Sequence, residues 1–113
     1  MTGPRRDPLV DDVARAMGAA RVRRFLQLYV VPGMEHCGSG AEPDDVGQWL
    51  RPDADPQHSL VAALERWVEG GGPPSGVIAT RFVRDGDATS GVASTRVLCP
   101  YRRGPAATGR CVS

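Results

Sequence analysis

The chain has 113 residues, a length that fits one small domain or a portion of a larger one and excludes two full domains. Its residues are 41% hydrophobic and 24% charged, proportions close to those of globular proteins, so the chain is not disordered throughout. Gly (14) and Pro (10) are abundant, whereas only two Phe, two Tyr and two Trp are present to fill a core. We therefore expect many loops and packing against further protein.

Charge and hydropathy argue against two classes of partner. The 14 basic residues, all Arg, nearly balance 13 acidic ones, and aromatic residues are not interleaved with the Arg groups. We therefore expect no nucleic-acid partner. No stretch approaches the roughly 18 apolar residues of a membrane-spanning helix, and no apolar segment follows the first residues as in a secretory signal. The sequence predicts no membrane partner and, as written, no export signal.

The first third of the chain predicts a helix, a strand and a loop. Apolar residues recur at helical spacing within residues 7–17, and Gly18 lies where a C-cap would fall. The nearly continuous apolar run Phe25–Val31 is typical of a buried strand in a parallel sheet. Pro32–Gly33 ends this strand and begins a polar loop.

A long irregular connection and a second helix follow. Residues 38–57 mix Gly, Pro and Asp, and Trp49 is the expected anchor of this connection. Ser59 is the expected N-cap of a helix over residues 60–69. The apolar stripe of this helix is formed by Leu60, Leu64, Trp67 and Val68.

The remaining sequence predicts one more strand and an irregular tail. β-Branched residues favour a strand over residues 77–83, with a turn at residues 85–87. From Ser94 onward no regular structure is expected. The fold class is therefore α/β with an incomplete sheet, because a typical sheet has about five strands. The missing strands would come from another copy, another chain or the rest of a longer protein.

His36 is the candidate catalytic base. It lies in a polar loop after a predicted buried strand, where open α/β sheets bind ligands, and α/β-hydrolases carry their triad His late in the chain. A lone His there is more often a surface residue, so the pattern alone leaves both interpretations open. Glu35 and His58 are expected to be exposed, Asp7 to begin the first helix and Arg81 to make surface contacts.

The three cysteines are Cys37, Cys99 and Cys111, an odd number that leaves one thiol without an internal partner. Metal binding is not favoured, because the chain has only two His and no Cys-x-x-Cys spacing. Cys37 next to His36 suggests a thiol nucleophile with its base. We expect the two side chains to point apart, however, as neighbours do in an extended segment.

Three phrases of the sequence form a pattern that covers roughly residues 10–111. The strongest is Pro32-Gly33-Met34-x-His36-Cys37, preceded by the strand Phe25–Val31. The others are the helix phrase over residues 60–71 and Leu98-Cys99-Pro100-Tyr101. Together they resemble the tannase and feruloyl esterase family of α/β-hydrolases.

This resemblance implies specific roles for four residues. His36 would be the catalytic base, and Cys37 would form a disulfide with a Cys directly before the nucleophilic Ser, outside this chain. Cys99 and Cys111 would pair with each other. Residues 1–113 would be the C-terminal part of an α/β-hydrolase fold, with a buried strand, a His-bearing loop, flanking helices and a disulfide-stapled tail.

The sequence also departs from the family pattern. It has no Cys-Ser pair and no Gly-x-Cys-Ser-x-Gly segment, so the nucleophile is missing. The lid domain, where the resemblance implies a calcium ion, is missing too, and no cofactor is expected in this chain. The expected function is the C-terminal part of a serine hydrolase of gallate or hydroxycinnamate esters, inactive without its N-terminal part. The parent enzyme would be secreted or periplasmic. A disulfide-stabilised interaction module and a decayed remnant are the alternatives.

Overall fold

The computed structural model describes residues 8–38, 40–49, 54–101, 104–105 and 111–112. Its helices are α1 (Pro8–Met17), α2 (Ala19–Val22) and α3 (Leu60–Arg66), and a π-helical turn, Trp67–Gly71, continues α3. Its strands are β1 (Val77–Arg84), β2 (Asp87–Leu98), β3 (Gly104–Pro105) and β4 (Cys111–Val112). None of the helices in these ranges is long and apolar enough to cross a membrane.

Helix α1 confirms the first predicted helix, and its apolar face is only partly covered. It begins at Pro8, and Asp7 lies outside the described residues. Gly18 ends it at a φ of 90°, donating its backbone N–H to the carbonyl of Ala14 at 2.8 Å. No residue of α1 is buried, and Leu9 is 73% exposed. The amphipathic pattern therefore predicts the helix correctly, and the structure buries none of its residues fully.

The predicted strand Phe25–Val31 is wrong. Residues 26–31 are irregular, and Phe25 is 57% exposed. The Leu28 carbonyl of this segment accepts a backbone hydrogen bond from the Tyr101 N–H at 2.7 Å. A strand requires a neighbouring strand for its ladder, and none pairs with this segment within the described part of the chain. The apolar run indicates a tendency to be buried but does not supply the pairing partner.

Helix α3 forms where it is predicted, and Ser59 caps it. The Ser59 hydroxyl accepts a hydrogen bond from the Ala62 N–H at 3.2 Å. Regular α-helix ends at Arg66, and the π-helical turn Trp67–Gly71 continues it. Only part of the predicted stripe faces the core, since Leu64 is 57% and Val68 is 79% exposed.

The largest sheet is the antiparallel hairpin of β1 and β2. Val77 pairs with Leu98, and the turn at Asp85–Gly86 joins the strands, confirming the predicted strand and turn. The prediction that the tail from Ser94 is irregular is wrong. Strand β2 continues to Leu98, and β3 pairs with β4 in a second two-stranded sheet. Strand β2 contains several Ser, Thr and Gly residues. It forms through backbone pairing with β1, which the hydrophobic pattern does not reveal.

A small core lies on one face of the hairpin and places the His36 segment. Its buried members are Val46, Val77, Ala79 and Leu98, and the partly buried Tyr29, Val31, Met34 and Leu60 pack against them. Asp45 and Thr80 exchange two backbone hydrogen bonds of 3.0 Å, which attach the connection after the His36 segment to β1. The mixture of helices with two small antiparallel sheets is consistent with part of a larger domain.

Candidate active site

The His36 loop, described over residues 33–38 and 40, is held to the core at its start. The turn through Pro32 and Gly33 brings the Met34 N–H to 3.4 Å from the Val31 carbonyl. Gly33 has a φ of 75°, which the absence of a side chain makes accessible. Val31 and Met34 both pack against the core, so the segment that precedes His36 has a fixed position.

His36 and Cys37 lie together at the exposed tip of this loop. Cys37 has a φ of 66°, unusual for a residue other than Gly, and its Sγ is 3.2 Å from Nδ1 of His36. Our expectation that the two side chains point apart is therefore wrong. It assumed an extended segment, whereas a turn brings the Gly38 N–H to 3.1 Å from the Glu35 carbonyl. Thiol and imidazole face each other, and both residues are exposed.

The ring of His36 has one hydrogen-bonding neighbour within the described residues. Nδ1 of His36 contacts the Cys37 thiol, and within the described ranges no carboxylate or hydroxyl hydrogen-bonds to its ring. Glu35 is exposed, as expected. A serine hydrolase needs a nucleophile beside one imidazole nitrogen and an acid beside the other. Searched over the same ranges, the chain has no group of three or more His, Cys, Asp or Glu side chains placed to hold a metal ion.

Three polar side chains attach the loop to the rest of the chain. Gln48 donates from Nε2 to the carbonyls of Asp44 at 3.0 Å and Cys37 at 3.4 Å. Asp44 accepts from the Gly40 N–H at 2.7 Å, and Arg81 donates to the Gly40 carbonyl at 2.9 Å. Arg81 is exposed, as expected, but sequence reasoning missed its contact with Gly40 and missed Asp44 and Gln48 altogether. The available signal for Asp44 was the acidic pair Asp44–Asp45, which comes soon after the loop that ends at Gly40.

The chain's other histidine has a different environment. His58 is exposed at the start of α3, as expected, and its Nδ1 lies 2.9 Å from one Asp55 carboxylate oxygen and 3.0 Å from the other. The side-chain hydrogen bond with His58 is the largest cause of a lowered pKa for Asp55. This imidazole already has a carboxylate partner, whereas His36 has a thiol.

The cysteines are arranged in two ways. Cys99 and Cys111 form a disulfide, which confirms the pairing implied by the resemblance. It joins the end of β2 to β4 and closes the tail. Cys37 is free and exposed in this chain.

Comparison with known proteins now identifies the family. The family described as "Tannase and feruloyl esterase" matches residues 9–112. The chain belongs to this family. An uncharacterized esterase of Xanthomonas campestris is 39% identical over 93 residues, covering 79% of this chain and 16% of that protein. A "Probable feruloyl esterase B-2" of Aspergillus fumigatus is 32% identical over 93 residues, covering 77% of this chain and 16% of its own length. The chain thus spans about a sixth of these relatives.

Two solved structures also resemble the chain. An esterase from Aspergillus oryzae matches with a TM-score of 0.75 and 27% identity, over 91% of this chain and 23% of that one. Feruloyl esterase B from Aspergillus oryzae matches with a TM-score of 0.70 and 26% identity, over 91% and 22% respectively. The family predicted from the sequence is therefore confirmed.

Proposed function

We propose that this chain supplies the general base, His36, to a serine carboxylic-ester hydrolase whose nucleophile and orienting acid lie outside the described residues. It would form the C-terminal part of an α/β-hydrolase domain. The observation that carries the proposal is the family motif Pro32-Gly33-Met34-x-His36-Cys37, folded into a loop whose base faces solvent while its start is anchored in the core. Relatives named feruloyl esterase support gallate or hydroxycinnamate esters as substrates.

His36 would move one proton in each half of the reaction. Its neutral imidazole takes the hydroxyl proton of the serine as the serine oxygen bonds to the ester carbonyl carbon. The imidazolium then returns this proton to the departing alcohol, which leaves an acyl-enzyme. Water attacks the acyl-enzyme by the same sequence, releasing the aromatic acid and the serine. An oxyanion hole outside the described residues would stabilise the negative charge on the carbonyl oxygen.

Cys37 would act as a tether instead of a nucleophile. Its thiol now occupies Nδ1 of His36, the nitrogen that an orienting carboxylate needs. Oxidation of the thiols of Cys37 and of a Cys beside the nucleophile, with two protons and two electrons passing to a disulfide oxidant of the compartment, would join them and redirect the sulfur toward the serine. Nδ1 would then be open to the carboxylate. Such a disulfide, like Cys99–Cys111, requires an oxidising compartment, which supports a secreted or periplasmic enzyme.

The uncovered apolar surface supports a partner of substantial size. Leu9, Phe25, Leu64 and Val68 are each more than half exposed. Soluble proteins leave large contiguous apolar patches mainly at interfaces. The remainder of an esterase domain, packed on α1, the 25–31 segment and α3, would cover these side chains. It would also supply strands beside residues 26–31.

A chimeric esterase tests this proposal. Residues 9–112 would replace the matching segment of the Aspergillus oryzae feruloyl esterase B, and hydrolysis of methyl ferulate and methyl gallate would be measured. His36→Gln should lower kcat at least about 100-fold, because general bases contribute 10²–10⁴-fold. His58→Gln is the matched control and should leave kcat unchanged, with circular dichroism confirming that both variants fold. Equal activity of the two variants would refute the assignment of His36.

A further inference from the structure

The two ends of the His36 loop touch at a narrow neck. Gly33 begins the loop and Gly40 ends it, and a Cβ added to Gly40 would overlap the Gly33 carbonyl oxygen. A Cβ added to Gly33 would in turn overlap the side chain of Glu42. The two backbones approach this closely because Gly40 has no side chain. Any change in the position of Gly40 therefore moves the closed loop that carries His36.

Both backbone groups of Gly40 are held by charged side chains. Its N–H donates to Oδ2 of Asp44 at 2.7 Å, and its carbonyl accepts from Nη1 of Arg81 at 2.9 Å. Asp44 is 4% exposed, and a buried carboxylate is costly unless hydrogen bonds satisfy it. Hydrogen bonds with a charged partner are shorter and stronger than neutral ones. The peptide groups of Gly40 are thus fixed from two sides.

These two side chains connect the neck to the best-packed part of the molecule. Arg81 belongs to β1, directly after Thr80, whose backbone exchanges two hydrogen bonds with Asp45 next to Asp44. The tip of the loop has its own attachment, the 3.4 Å hydrogen bond from Gln48 to the Cys37 carbonyl. Within the described residues the ring of His36 hydrogen-bonds only to Cys37. Its position therefore depends on how the backbone of the loop is held.

We propose that Asp44 and Arg81 are positioning residues that fix the neck of the His36 loop through Gly40. This inference rests on the proposed function, because it assigns a reason for holding the loop: a general base must stay within about 0.5 Å of its productive position. Neither side chain touches the substrate or the reacting atoms. Their effect reaches the reaction through the Gly40 peptide and the loop backbone.

The full chain provides a test that needs no esterase activity. Arg81→Met removes the guanidinium donor but keeps a long apolar stem, Arg81→Lys restores a cation, and Arg84→Met is the control at the exposed hairpin tip. The chain has only two His, so NMR resonances of the His36 ring can be read against those of His58. Alkylation of Cys37 by iodoacetamide gives a second readout of the same loop. Near-UV circular dichroism and the backbone resonances of the hairpin report whether each variant folds.

We expect Arg81→Met to shift the His36 resonances toward those of an unstructured chain and to speed alkylation of Cys37 several-fold. The His58 resonances and the hairpin resonances away from the substituted residue should stay in place, and Arg81→Lys should recover part of the difference. Arg84→Met should leave the His36 resonances and the alkylation rate of Cys37 unchanged. Asp44→Asn, which keeps an acceptor oxygen, should be milder than Asp44→Ala. Unchanged His36 resonances and alkylation in Arg81→Met would overturn the proposal, as would the same changes in Arg84→Met.

In the chimera, Arg81→Met should reduce kcat by up to about 100-fold with little change in KM, since misplacing a catalytic group by 1 Å has an effect of that size. If Arg81→Met shifts the loop in the full chain but leaves kcat unchanged in the chimera, the positioning role of Arg81 is overturned. The esterase assignment then stays intact. Full activity of His36→Gln in the chimera would instead overturn the proposed function, and the NMR result would still report on the neck.

Discussion

Two regions of the molecule differ in how completely they are packed. On the hairpin side, formed by residues 40–49 and 77–98, Val77 is 1% and Ala79 is 0% exposed. On the helical side, residues 8–30, no residue of α1 is buried and Leu9 is 73% exposed. The buried core residues lie on the hairpin side, with Tyr29 of the helical side packed against them, whereas Leu9 and Phe25 of the helical side are more than half exposed. The His36 loop is attached to the hairpin side, so its position does not depend on the uncovered surface.

A matched pair of leucines sharpens this comparison and carries the largest expected effect. Leu98 is 4% exposed in the hairpin core, and Leu64 is 57% exposed on α3. Leu98→Ala should lower the free energy of unfolding by about 2 to 5 kcal/mol, because it leaves a cavity in packed surroundings. Leu64→Ala should change it little. Urea denaturation of the two variants measures both values, and equal losses would contradict the division into two regions.

The cysteines extend the comparison from packing to covalent links. Cys99 and Cys111 are 12 positions apart, so replacing both by Ser should cost about 3 kcal/mol in the chain-entropy account of disulfides. Cys37→Ser removes an exposed thiol and should leave the free energy of unfolding nearly unchanged. Thiol titration of the native, oxidised chain should find one reactive sulfur. Three reactive sulfurs would contradict the disulfide, and a large loss in Cys37→Ser would contradict the assignment of this thiol to the site.

The smallest expected effect lies at the exposed tip of the hairpin. Hydrogen bonds from Thr89, and then from Arg84, lower the pKa of Asp87 to about 2. Because the folded pKa is below the unfolded value of 3.8, this carboxylate stabilises the fold above pH 3.8. The contribution is lost as the pH falls through about 2. We expect Asp87→Asn to lower Tm slightly at pH 5 and to flatten its decline between pH 4 and pH 2. If Tm falls in parallel in the unsubstituted chain and in Asp87→Asn, Asp87 contributes nothing to stability in this pH range.

Local patterns predicted the elements whose signals lie within a few residues. Helical spacing gave α1, Ser59 and the following apolar residues gave α3, and β-branched residues gave β1. The failures involve distant partners. The segment 26–31 is apolar but has no neighbouring strand among the described residues, and β2 pairs through its backbone despite many small polar residues.

The same limit applies to the candidate site. The motif located His36 and Cys37, but their contact depends on the positive φ of Cys37, which no residue pattern indicated. Arg81 is 41 positions from the glycine that it holds. A side chain that reaches across such a distance can be assigned only when the fold shows which strand lies beside the loop. The sequence therefore indicated the candidate residues, and the structure showed which side chains hold their loop.

The most direct test of the central claim is the rate at which a fluorophosphonate labels the nucleophilic serine of the chimeric esterase, followed by mass spectrometry. This reaction requires an activated serine and does not depend on the choice of ester substrate. The account predicts that His36→Gln slows labelling at least about 100-fold relative to His58→Gln, the range that general bases supply. Equal labelling rates in the two variants would contradict it, and so would labelling at Cys37 in place of the serine.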